Sequence, residues 1–94
     1  MSSAISSTDY KFYSGGHMYT EKVLDNLTQS LPAIFARTEV GRLTGGVIAP
    51  RTLANLDSLG KGPGGKVKFM KKVAYEKGAF LAWFAENLKE AENA

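Results

Sequence analysis

The side chains in this chain that could do chemistry are cations, and they are gathered in one block. Residues 37–77 hold Arg37, Arg42, Arg51, Lys61, Lys66, Lys68, Lys71, Lys72 and Lys77 against Glu39, Asp57 and Glu76, a balance of +6. The flanks are acidic: residues 1–36 sum to −1 and residues 78–94 to −2, within a whole-chain charge of +3. A localised positive block is the electrostatic footprint of polyanion binding. Lysines act as point charges for phosphates, arginine offers a fork of donors to guanine or phosphate, and asparagine suits adenine. The plainer alternative is a solvated helix face beside a lysine-rich edge that discourages strand aggregation.

Other chemistries are poorly supplied. There is no cysteine, which excludes disulfides and thiolate metal sites, and His17 is the single histidine. With no second imidazole nearby, it reads as a solvated or packing residue rather than a ligand or general base. Gly60-Lys61-Gly62-Pro63-Gly64-Gly65-Lys66 fits the G-x-x-x-x-G-K phosphate-loop pattern. That loop must follow a strand and open a helix so that backbone N–H groups hold the phosphates. Here a helix precedes it, a strand follows, and Val67 stands where a hydroxyl is required, so it reads as a connector. No apolar run approaches the ~20 residues of a membrane span, and no basic-then-apolar leader opens the chain. The expectation is a soluble cytoplasmic protein with no catalysis, cofactor or metal.

The elements that would position the cations follow from local patterns. At 94 residues the chain has room for one domain. Residues 1–18, rich in Ser, Gly and Thr, read as a disordered arm despite Tyr10, Phe12 and Tyr13. Residues 19–34 read as an accessory helix and linker. Thr20 is its N-cap, Tyr19 and Leu24 its hydrophobic staple, Val23, Leu24, Leu27 and Leu31 its apolar stripe, and Pro32 its stop. A second helix is expected over Arg37–Thr44, ended by Gly45-Gly46. A third begins at Pro50 and ends at Gly60, with Leu53, Leu56 and Leu59 inward. Arg51, Ala54, Asn55 and Ser58 face outward, and Thr52 lies at the edge.

Beyond the glycine loop, Lys66–Phe69 and Lys72–Tyr75 alternate as two strands. Val67, Phe69, Val73 and Tyr75 are expected inward and Lys66, Lys68 and Lys72 outward, with Lys71 at the tip. A last helix over Glu76–Glu90 buries Phe80, Trp83, Phe84 and Leu88, and turns Glu86, Lys89 and Glu90 to water. The expected core is Val40, Leu43, Leu53, Leu56, Phe69, Val73, Tyr75, Phe80, Trp83 and Phe84. Two helices joined through a tight turn at Gly45–Ala49 have the order of a helix-turn-helix.

Glu39-Val40, Pro50-Arg51-Thr52-Leu53, Gly60-Lys61-Gly62-Pro63, Lys72-Val73-Ala74-Tyr75 and Trp83, in this order, resemble the excisionase/AlpA-type branch of the MerR-like winged helix-turn-helix superfamily. The likeness covers residues 35–88. It implies a mainly α fold with a small β-hairpin wing (α+β) over residues 35–90, with 91–94 as a tail. Its function would be that of a recombination directionality factor, bending attachment-site DNA to direct an integrase toward excision. A small transcriptional regulator of a mobile element is the near alternative, and a protein–protein adaptor the more distant one. Partners implied are double-stranded DNA, a tyrosine or serine integrase, and further copies of the chain on DNA, placing it at the nucleoid. Arg51, Ala54, Asn55 and Ser58 would read bases, and Arg37, Thr52, Lys66, Lys68, Lys71 and Lys72 would hold the backbone. The chain departs from the family at Ala49, where a serine N-cap is usual, and at Met70-Lys71, where the hairpin tip lacks a glycine.

Overall fold

Pro32 cannot continue a helix, and in the computed structural model, which describes residues 18–91, the first helix closes just before it. This helix, α1 (Met18–Ser30), leads into a three-residue strand, β1 (Ile34–Ala36). A 3-10 turn (Arg37–Glu39) runs into the single turn of α2 (Val40–Leu43), and α3 (Pro50–Ser58) follows. The hairpin strands are β2 (Lys66–Phe69) and β3 (Lys72–Glu76), and α4 (Lys77–Glu86) ends the regular structure. The result is a small α+β fold, with four α-helices among the described residues and a three-stranded antiparallel sheet in the order β1-β3-β2.

Glycine chemistry sets the two helix ends that frame α3. Gly45 and Gly60 take left-handed φ values of 64° and 73°, which cost glycine little. Around Gly60, Lys61 N–H reaches back to Leu56 O (2.9 Å) and Gly60 N–H to Asp57 O (3.0 Å). The same pair closes α2, from Gly46 to Gly41 O and from Gly45 to Arg42 O. This double bond to the last carbonyls ends a helix and turns the chain sharply.

The core draws on every helix and on β1 and β3, while β2 lies outside it. Leu31, Phe35, Val40, Ile48, Leu53, Tyr75, Phe80 and Phe84 form one buried cluster, and Leu24, Leu27, Leu43, Val73, Trp83 and Leu88 pack on it half-buried. Phe80 is its centre, edge-on to Phe35 at 4.9 Å and stacked on Phe84 at 5.7 Å. α1 lies against α4 through this cluster.

Several expectations are corrected. β1 is an unpredicted third strand, because three residues carry too little alternation to announce themselves. Thr20 lies inside α1 rather than ahead of it; its backbone N–H donates to Glu90 Oε2 at 2.7 Å, so Glu90 is drawn onto α1 rather than facing water. Tyr19 is exposed and staples nothing. Leu59 sits beyond the last turn of α3 and is exposed, and α4 stops at Glu86. Glu76 closes β3 and caps α4, its carboxylate accepting from Ala79 N–H (2.8 Å) and Gly78 N–H (3.0 Å). Those two bonds stabilise the charged form and lower its pKa. Met18, expected in the arm, opens α1; the rest of the arm, with His17, lies outside the described residues, as does all but Ala91 of the tail.

The largest correction concerns the hairpin. Residues directly opposite in an antiparallel pair share a face, and here Lys66 faces Tyr75, Val67 Ala74, Lys68 Val73 and Phe69 Lys72. A two-residue turn therefore sets the alternating patterns of β2 and β3 out of phase. Lys66 and Lys68 lie on the Val73–Tyr75 face, while Val67 and Phe69 join Lys72 and Ala74 on the other. Phe69 is 68% exposed and does not belong to the core.

Candidate nucleic-acid interface

The position of α3 relative to the sheet is fixed by one buried polar network. Asp57, in the last turn of α3, accepts from Arg37 Nη2 at 2.7 Å and from the Tyr75 hydroxyl at 2.5 Å. Arg37 Nε donates to that same hydroxyl at 2.9 Å. The Asp57 side chain is 5% exposed, so these donors replace the water that its oxygens would otherwise bind. Burial, reinforced by the bond to Asp57, pushes the Tyr75 hydroxyl up to about 12, and the bonds to Tyr75 and Asp57 raise Arg37 above its ordinary value. Gly62 lies hard against this network, where a Cβ would collide with Asp57 Oδ1.

Trp83 supplies a second tie. Its Nε1–H donates to Lys61 O at 2.8 Å, which fastens the glycine loop to α4. Pro63 is buried in that loop, consistent with a connector rather than a phosphate cradle. Trp83 itself is half-buried, so it acts as a strut at the edge of the core.

On this frame, α3 turns Arg51, Thr52, Asn55 and Ser58 to solvent, while Leu53 is fully buried and Ala54 and Leu56 are half-buried. Ala49 precedes the helix in extended conformation and gives no side-chain cap. Lys66, Lys68, Lys71 and Lys72 are all exposed on the hairpin. Lys71 and Lys72 also border a groove with Arg37, Thr38, Ala36 and Val73. Arg37 shares that groove but spends Nε and Nη2 on the internal network, so its place is structural. Asp57, the one acidic residue of α3, is paired inward with Arg37. Neither tie had a sequence signal, since its members lie 18–38 positions apart.

The described residues contain no group of acidic and histidine side chains that could hold a metal, and no helix long and apolar enough to cross a membrane. Compared with known proteins, the chain matches no family model, no curated protein and no solved structure.

Proposed function

We propose that this chain is a double-stranded DNA-binding accessory protein whose 35–90 region is a winged helix-turn-helix. In this reading α2 and α3 are the helix-turn-helix pair and β2–β3 the wing. Arg51 and Asn55 contact base edges, Ser58 and the small Ala54 line the same face, and Thr52 adds a backbone contact. Lys66, Lys68, Lys71 and Lys72 bind phosphates and supply affinity more than sequence choice. Arg37 is left out of the contacts because it holds α3 to the sheet.

The observation that carries the reading is the exposed polar face of α3 beside a four-lysine hairpin, with α3 tied to β3 through Asp57. The resemblance to excisionases adds the role: several copies on repeated sites, DNA bent, and an integrase redirected toward excision. A transcriptional regulator uses the same contacts.

Arg51→Ala tests the reading. Arg51 is exposed and outside the core, so the melting temperature should stay within error of the parent. Specific binding should weaken by ~1–3 kcal/mol. Unchanged binding would remove α3 from the interface.

A further inference from the structure

The hairpin tip presents two apolar side chains that none of the described residues covers. Phe69 is 68% and Met70 82% exposed, although this small chain buries Phe35, Phe80 and Phe84. Met70 also takes a left-handed φ of 55°, a strained conformation for a side chain of its size. Lys68 and Lys71–Lys72 flank the pair along the chain, with Lys72 directly opposite Phe69, so the apolar tip is carried on a cationic hairpin. A polyanion that also offers an apolar slot answers both features. Double-stranded DNA does so where apolar side chains enter from the minor groove, part adjacent base pairs and kink the helix by ~20–90°. A two-residue turn also confines the apolar pair to the end of the hairpin, where side chains and not the whole ribbon would enter.

We infer that Phe69 and Met70 form a wedge that enters between base pairs and produces the bend, while the neighbouring lysines hold the flanking phosphates. The inference rests on the DNA-binding reading above. The wedge should favour pyrimidine–purine steps, which unstack most easily.

The test uses the full chain and a duplex recovered from a random pool by selection, carrying 2-aminopurine at successive steps and a fluorophore at each end. The parent should bind, shorten the end-to-end distance and brighten 2-aminopurine at one step. Phe69→Ser combined with Met70→Gly should keep the fold by circular dichroism and keep affinity within about tenfold. It should lose both the bend and the brightening. Lys71→Ala with Lys72→Ala should show the reverse emphasis, losing affinity first. Bending or brightening that persists in the Phe69/Met70 variant, or is absent in a bound parent, overturns the wedge and leaves the DNA-binding reading standing. A parent that binds no duplex at low salt overturns both. Tip-dependent binding to phosphatidylglycerol vesicles without DNA binding would instead make the tip a membrane-surface anchor.

Discussion

Tyr75 shows how one side chain can serve packing and positioning together. Its ring is fully buried against Phe35 and Phe80, while its hydroxyl joins Arg37 and Asp57. A hydroxyl whose pKa is raised from 10 to about 12 contributes stability that is complete below pH 10 and lost as pH rises toward 12. Tyr75→Phe should therefore flatten the alkaline limb of a melting-temperature profile over that window. An unchanged limb would mean the hydroxyl is not held as described. Arg37→Ala should cost about 1–3 kcal/mol in chemical denaturation, since it leaves the Asp57 carboxylate with fewer donors. Met70 points the other way: Met70→Gly relieves a left-handed φ and should stabilise the fold by ~0.5–1 kcal/mol.

At the scale of elements, α3 and the hairpin were legible in the sequence because their signals are local. Pro50 opens α3, Gly60 ends it, and the lysine alternation bounds the two strands to within a residue. What stayed hidden depends on pairing. The relative phase of β2 and β3 is set by the length of their turn, and Met70-Lys71 does not announce a two-residue turn as an Asn-Gly would. A three-residue turn would have placed Val67 and Phe69 with Val73 and Tyr75, as the alternation suggests. β1 exists only because Phe35 and its neighbours pair with β3. The uncapped start of α3 gives an element-scale prediction. Ala49→Ser supplies an N-cap oxygen and should raise stability by ~0.5–1 kcal/mol, read from the denaturant midpoint. No gain would mean that the first-turn N–H groups already have partners.

For the whole molecule, the candidate site was legible as a set of residue types and less so as a geometry. Arg51, Thr52, Asn55, Ser58 and the hairpin lysines are exposed as expected, whereas Arg37 proved to be a strut and Phe69 a surface residue. The difference has a physical cause: charge and local period reveal what a residue can do, while long-range bonds decide what it is free to do. The central claim is that the exposed hairpin lysines bind the phosphates of duplex DNA while the polar face of α3 meets its bases. Its most direct test is the affinity for duplex DNA across a salt series. With the four hairpin lysines engaged, log K should fall against log salt with a slope of about −4, and each lysine-to-alanine change should reduce that slope by about 1. A flat dependence, or no binding at low salt, would contradict the account.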